Sequence, residues 1–413
     1  MPLADAPAWP LRRKVTFRFL LLYALLSLSG GLFLPWNALA DWLAPRLLGQ
    51  PLAALAPNGS GDTLRSYVLA GLYLVAAGLG TLVWSVAEGR RDWTPRLGWP
   101  AHTTLRFWVA FYLLFYGWSK LLLSQMPAPD FPDLLTPLGE MSPMGLLWRS
   151  VGVSPLYERA GGLAEIVPGL LLLSRRTSLL GALLGAGVMA YVLLLNLSFD
   201  VPVKLFSGHL LLYCLLLLTP FWPRLWLFVT NRPVPPQVYP AAASTAGSRR
   251  AALAARGLVV LAALLLPPWQ VTRTGGPYGP ASRSDLAGIF WVQPSEQVAD
   301  RPGWYTPWVK LALGEWLYRS DLVAAAPQGQ ATALQSDGTR LRGSYSADPA
   351  TRTLDLQLGN FSGKFRYVRQ AGGLRLDALD PPVLPVLTLR PALDATLLRD
   401  RGFRWVNERP FNR

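Results

Sequence analysis

The sequence predicts a polytopic α-helical membrane bundle of about seven spans, followed by a C-terminal antiparallel β-rich soluble domain. Three observations carry that expectation. Stretches of about twenty apolar residues fill the chain from Val15 to Gln270, the length needed to cross a ~30 Å hydrocarbon layer at ~1.5 Å per residue. The composition is 51% hydrophobic and only 15% charged, unusual for a soluble chain of this size. After Pro280 the long apolar runs give way to short alternating ones.

Spans are read near Val15 to Trp36, Ser66 to Ala87, Thr104 to Leu123, Tyr157 to Leu173, Ser178 to Phe199, Leu205 to Phe221 and Ala251 to Gln270. The first also fits a signal peptide, since Arg12, Arg13 and Lys14 precede it and Ala38-Leu39-Ala40 has the small residues of a cleavage site. Its apolar run is longer than a signal core, which favours an uncleaved span. The resulting organisation is residues 1–103 with two spans, 104–230 with four, a linker at 231–250, a seventh span at 251–270 and an extramembrane β-rich domain at 271–413. The linker is rich in Pro, Ala and Ser and reads as extended. Its separation of the sixth span from the seventh leaves the first six as a unit.

Charge orients the bundle. Arg12, Arg13, Lys14, Arg90, Arg91, Arg96, Arg175, Arg176, Arg224, Arg232, Arg249 and Arg250 fall on one side, against Arg46, Arg65, Arg149 and Lys204 on the other. The positive-inside rule then places the N-terminus in the cytoplasm of a bacterial inner membrane and the C-terminal domain outside, in the periplasm of a Gram-negative cell. The net charge of +15 is dispersed Arg rather than a basic face interleaved with stacking aromatics, so it sets topology rather than binding nucleic acid. The lipid bilayer is the first partner.

In the β-rich region the runs ATALQ, RLRGSYSAD, TLDLQLGN, GKFRYVRQ, GLRLDALD and LPVLTLR are broken by Ser336-Asp337-Gly338, Asp348-Pro349 and Gly372-Gly373. Period-two alternation with regular turn formers predicts an antiparallel meander, a small barrel or half-sandwich. Upstream, Trp304, Tyr305, Trp308, Trp316 and Tyr318 read as core or membrane-surface residues, with a ligand-binding aromatic wall as the alternative.

Function is sought where charge enters the bilayer, because an ionisable group at its centre costs ~2.5–3.5 kcal/mol even on the lenient scale. Lys120 stands near the outer end of the third span, and Glu165 lies roughly 12 Å inward from the outer mouth of the fourth, where Glu158 and Arg159 sit. Asn196 and Asp200 end the fifth, and Lys204 and His209 open the sixth. Glu165 and Lys120 are the candidate catalytic pair, with His209, Lys204, Asn196 and Asp200 as candidate substrate-binding groups. The competing structural reading has Lys120 snorkelling to the headgroups and Glu165 as a neutral acid or one half of a packing ion pair. A functional Glu165 would exchange protons with a substrate whose oxygen Lys120 or His209 holds. Cofactor sites are bounded by counting. The single Cys214 cannot build an iron-sulfur cluster or a redox pair, His102 and His209 are expected at opposite ends of the membrane and cannot share a haem, and no nucleotide-binding or zinc motif is present. The run GALLGAG from Gly181 reads as helix packing.

The segments FWVAFYLLFYGWSKLLL, GGLAEIVPGLLLLSRRTSLLGALLGAGVMAYVLLLN and KLFSGHLLLYCLLLL resemble the four-helix DoxX family of bacterial membrane proteins over residues 104–221. Gly117 and Lys120 match that family's Gly-x-x-Lys end to its first helix. Glu165, Gly169 and Arg175 to Gly187 match its Glu-containing helix, tight basic turn and Ala/Gly-rich helix. The resemblance implies quinone-linked redox work, with a quinone as the bound carrier, or a supporting role beside a membrane or periplasmic redox subunit. The chain departs from the family pattern by two N-terminal spans, about thirty residues inserted between Gln125 and Tyr157, a seventh span and the β domain. A non-catalytic anchor whose β domain binds an envelope partner or lipid is a second expectation. A transporter is a third, weakened by the lack of an inverted repeat.

Overall fold

The computed structural model describes residues 9–28, 35–53, 60–88, 94–236, 285–294, 308–316, 328–379 and 386–396, with Leu398 and scattered positions between Arg250 and Trp269. Most of the linker and of the expected seventh span, Trp304, Tyr305, Tyr318 and the terminal GFRWVNERPFNR lie outside the described residues. The chain forms two compact units, one of residues 1–117 and 163–266, the other of residues 118–162 and 267–413.

The first unit is helical. Its sequence forms α1 (Leu11–Leu28), α2 (Trp36–Leu48), α3 (Leu64–Ala87), most of α4 (Thr94–Leu121) and, after two short helices of the other unit, α5 (Phe131–Leu134) and α6 (Pro143–Gly152), most of α7 (Pro155–Leu173), then α8 (Ser178–Ser198), α9 (Lys204–Leu218) and α10 (Trp222–Val229). Among the described residues, three stretches are long and apolar enough to cross a membrane: Leu64–Ala87, Ser178–Ser198 and Lys204–Val229. The helices α1, α4 and α7 coincide with three other expected spans, but the charges they carry, among them Arg18, Arg106, Lys120 and Glu165, place them outside that set. The first expected span is also shorter than read: α1 ends at Leu28, and Trp36 opens a separate helix after Pro35.

Two apolar clusters hold this unit. Tyr23, Trp36, Tyr73 and Ala77 join α1, α2 and α3, and Val109, Ala110, Leu113, Leu172, Ala182, Met189, Tyr213, Cys214 and Leu217 join α4, α7, α8 and α9. Close approach needs small residues, as expected of GALLGAG. A Cβ on Gly181 would stand 2.9 Å from the Leu172 nitrogen and 3.0 Å from the Pro168 carbonyl oxygen, so α7 and α8 meet backbone to backbone. Opposite these contacts, α3 leaves Val75, Leu79, Leu82, Val83 and Val86 exposed, the last at 83%. A soluble protein rarely exposes so continuous an apolar face, whereas lipid is its natural solvent.

The second unit is built on eight antiparallel strands: β1 (Gly288–Pro294), β2 (Trp308–Trp316), β3 (Gln328–Gln335), β4 (Arg340–Asp348), β5 (Thr353–Leu358), β6 (Phe361–Gln370), β7 (Gly373–Ala378) and β8 (Val386–Pro391). Each pairs with its sequence neighbour and β8 returns to β1, closing an up-and-down barrel. The expected meander is therefore a barrel, and its turns fall at the punctuating residues, with Gly338 and Gly372 at φ +86° and +96°. Inward residues fill it: Leu311, Leu313, Ala331, Ala333, Tyr345, Leu354, Leu356, Leu358, Phe365, Leu374, Leu376, Leu387 and Leu389 form one core. Trp308 joins that core edge-on to Phe361 at 4.8 Å. An eight-stranded barrel is wide enough for packed side chains or one small ligand, and here side chains occupy the interior.

The insertion between Gln125 and Tyr157 belongs to this unit. Its helix α5 opens with Asp130 accepting from the Phe131 amide and Asp133 accepting from the Asp130 amide, a capping box. Phe131, Leu134 and Leu135 then lie on the outward-facing Ile289 and Ala312 of β1 and β2. Arg340 of β4 fastens the same segment by donating to the Leu135 carbonyl at 2.9 Å and pairing with Glu140.

Candidate functional site in the helical unit

Spacing of four residues places Tyr23 and Ser27 on one face of α1 and His209 and Tyr213 on one face of α9, and the two faces meet. His209 Nδ1 lies 2.7 Å from the Leu205 carbonyl, which can only accept, so Nδ1 carries the proton. In the neutral ring Nε2 is then the acceptor, and the Tyr23 hydroxyl donates to it at 2.6 Å. Ser27 donates to the Tyr23 carbonyl at 2.8 Å, which leaves its oxygen to accept from Tyr213. The aromatic array continues to α4: Tyr213 meets Trp108 at 5.4 Å, Trp108 meets Tyr112 at 4.5 Å, and Phe206 bridges Tyr112 and Tyr116 at 5.1 and 6.0 Å. Glu165 is 2% exposed.

The other candidate residues have defined partners. Asn196 donates from Nδ2 to Ser207 Oγ at 3.0 Å, and Ser207 passes its proton to the Val203 carbonyl, tying the end of α8 to the start of α9. Lys204 pairs with Asp200 at 2.7 Å and with Asp62 at 3.6 Å. Asp62 also accepts from the Lys204 and Leu205 amides at 2.7 and 2.9 Å. It thereby satisfies two orphan N–H groups of α9 from a distant loop and complements the positive end of that helix. Sequence reading misses Asp62, because a cap supplied from 142 residues away leaves no local pattern. Of the candidates the structure thus brings Lys204 to Asp200, while Asn196 and His209 face partners outside the candidate set.

In the second unit the last turn of α4 carries Lys120 beside Gly161, where a Cβ would stand 3.6 Å from Lys120 Cδ. Glu158, 2% exposed, accepts from the Met126 amide at 2.9 Å and lies within electrostatic reach of Lys120. The outer mouth read from sequence is therefore a knot in which a buried carboxylate holds the chain leaving α4.

A second buried charge cluster escapes the sequence reading. Arg18 is 2% exposed, donates from Nε to Thr94 Oγ1 at 3.0 Å and from Nη1 to Ser85 Oγ at 2.8 Å, and pairs through Nη2 with Glu88. Glu88 also accepts from the Thr94 amide and hydroxyl, both at 3.1 Å. Charge inside an apolar run is the signal that marks Lys120 and Glu165, and the same signal marks Arg18 in RFLLLYALL and Arg106 in RFWVAFYLL. His102 contacts the Leu217 carbonyl at 3.1 Å, eight residues along α9 from His209 and hence roughly 12 Å away along its axis. That is less than the membrane-wide separation expected, and still too far for both rings to reach one iron.

These features define a helical, membrane-associated protein that carries a closed eight-stranded β-barrel. The chain belongs to the same family as the uncharacterized protein YwoB of Bacillus subtilis (strain 168), to which it is 32% identical over 115 residues, 28% of this chain and 73% of the relative. No family model matches, and no solved structure does.

Proposed function

We propose that the chain is a DoxX-like integral protein of the bacterial inner membrane whose helical unit takes a lipid-soluble quinone beside Glu165, as a component of a quinone-linked redox complex of the cell envelope. The observation that carries this reading is the buried Glu165 carboxyl in a unit whose α4 and α9 carry an aromatic array of Tyr116, Phe206, Tyr112 and Trp108. Flat rings stack on a quinone head, and a phenol donates to its carbonyl oxygen. A quinol bound there would give two electrons to an oxidised redox centre of a partner subunit and two protons, one to the Glu165 carboxylate and one to water, leaving the quinone. Glu165→Gln keeps the shape and removes the proton acceptor. Organic extraction of the purified protein is expected to release a stoichiometric quinone from the parent and roughly tenfold less from Glu165→Gln, a loss of ~1.4 kcal/mol in binding. Equal quinone in both, or none in either, would remove the carboxyl from the site.

A non-catalytic anchor is the second reading, favoured by one finding: His209, Asn196, Lys204 and Asp200 are all engaged in contacts that hold helices together. On that reading truncation after Arg250 abolishes function and Glu165→Gln does not.

An outward, periplasmic barrel is supported by the insertion. Residues 125–157 join α4 to α7 and pack on β1, β2 and β3, which supports reading the barrel on the same side of the membrane as that connection. If α7 crosses in the company of α8 and α9, as the sequence reading has it, the end of α10 falls on the opposite side. An odd number of crossings between Val229 and Asp285 would follow, consistent with reading the apolar run from Ala251 to Gln270 as a seventh span. A cysteine replacing Asp337, in the exposed β3–β4 turn, is expected to react with an impermeant maleimide in intact spheroplasts, and one replacing Arg176 only after permeabilisation. The reverse pattern would invert the orientation.

A further inference from the structure

Two contacts fix how α2 stands against α3. The Trp36 ring meets the Tyr73 ring edge-on with centroids 5.2 Å apart, and Asp41 pairs with Arg65 at 2.7 Å. Between these contacts α2 advances five residues while α3 goes back eight, roughly 7 and 12 Å of helix, so α2 climbs toward the N-terminal end of α3. Trp36 therefore packs deep beside Tyr73, and Trp42 to Leu48 stand at or beyond the level of Arg65. The lipid-facing strip of α3 stops at the same level: its exposed residues run at helical spacing from Val86 through Leu79 and Val75 to Tyr67 and Leu64. Immediately before Leu64, Asp62 pairs with Lys204, as suits the boundary between lipid and water.

At thirteen residues α2 is too short to cross a bilayer, and it presents a mixed face at that boundary. Leu39 and Trp42 are exposed, the latter at 55%. Arg46, one turn on, lays its guanidinium over the Trp42 ring at 4.3 Å and donates from Nη1 to the Trp42 carbonyl at 2.5 Å. Asp41, the carboxylate on this helix, is taken by Arg65. The Nε and Nη2 groups of Arg46 have no partner among the described residues.

We propose that α2 is half-immersed in the leaflet at this end of α3, and that the Trp42–Arg46 pair holds the phosphate of a phospholipid there. The inference is independent of the quinone reading and rests on α3 crossing the bilayer. A short helix with an apolar foot and with Trp and Arg near its top settles at the headgroup level. A guanidinium held flat over an indole keeps its free edge for phosphate, with little rotamer freedom left to lose. Continuity of this face with the lipid strip of α3 makes a lipid its occupant.

The test uses the full-length protein in nanodiscs of phosphatidylcholine and phosphatidylglycerol. Cys214 is buried, so a nitroxide can be placed on a cysteine replacing Leu39 and, in a second sample, on one replacing Asp337 of the β3–β4 turn. Relaxation by oxygen is expected to exceed relaxation by a water-soluble nickel chelate several-fold at position 39, and to fall below it at position 337. Native mass spectrometry of protein released from the same discs is expected to show bound phospholipid on the parent and roughly fivefold less on Arg46→Gln. Lys364→Gln, which removes a barrel cation paired with Asp355, is expected to retain as much as the parent. A position 39 that the nickel chelate reaches as freely as position 337 overturns the immersion of α2. Equal lipid on the parent and Arg46→Gln overturns the phosphate site. So does an equal loss on Lys364→Gln, which would mean net charge, or an inorganic phosphate adduct in lipid-free detergent that Arg46→Gln removes, which would mean a soluble anion.

Discussion

Glu88→Gln is expected to destabilise the helical unit by roughly 3–5 kcal/mol, the cost of leaving one member of a buried ion pair without the other. Arg18 reaches three elements at once: its own α1, Ser85 and Glu88 at the end of α3, and Thr94 at the start of α4. Its guanidinium cannot shed its charge, so Gln at position 88 leaves a cation buried with two hydroxyls. Arg18→Met is expected to cost less, because an abandoned Glu88 can neutralise itself by taking a proton. The double change Arg18→Met/Glu88→Leu is expected to recover most of the loss, as apolar replacements of buried pairs do. Thermal unfolding in detergent checks the series: a drop of about 10 °C or more for Glu88→Gln, given ~2–4 °C per kcal/mol for a unit of this size. A Glu88→Gln midpoint within a degree or two of the parent would show that the pair is solvated rather than buried.

The same cluster shows where sequence reading reaches and where it stops. Alternation reveals β3 to β8 because each strand has one wet face and one dry face, as in TLDLQL, where Leu354, Leu356 and Leu358 turn inward and Asp355 and Gln357 outward. β1 and β2 are hidden because α5 dries part of their outer face as well. With Ile289 and Ala312 covered, GIFWVQP and WVKLALGEW lose period two and read as aromatic-rich segments. In the bundle, hydropathy finds the helices but not their ends: the apolar composition runs on past Leu28, while α1 ends there and α2 starts at Trp36 after Pro35. Buried charge is legible as a class and its pairing is not. Arg18 and Glu88 are 70 residues apart, and Asp62 caps α9 from across the chain. Polar groups inside apolar spans mark Asn196, Asp200 and Lys204, and their partners, Ser207 for Asn196 and each other for Asp200 and Lys204, tie the end of α8 to the start of α9.

Gly343→Ala is expected to cost the barrel more than ~3 kcal/mol, at the upper end of overpacking penalties. A Cβ there would stand 1.8 Å from the Gln357 carbonyl oxygen and 2.7 Å from its carbon, both backbone atoms of the paired strand β5. No rotamer relieves that contact, so β4 and β5 must separate and open the ladder on the side of the core where Tyr345 and Leu358 pack. Gly314→Ala provides the contrast. Its Cβ would meet Asp130 Oδ2, a side-chain atom, first, with the Gln330 carbonyl oxygen of β3 at 3.1 Å, so most of the clash is relieved when Asp130 swings away at the expense of the α5 capping box, roughly 1 kcal/mol. Limited proteolysis distinguishes the two: Gly343→Ala is expected to expose sites throughout residues 328–379, and Gly314→Ala only those around residues 125–142. If both variants are cut in the same places, the insertion and the closed wall unfold as one. The packing of Phe131 and Leu134 on Ile289 and Ala312 would then be a condition for closing the barrel rather than a cover laid over a barrel already closed.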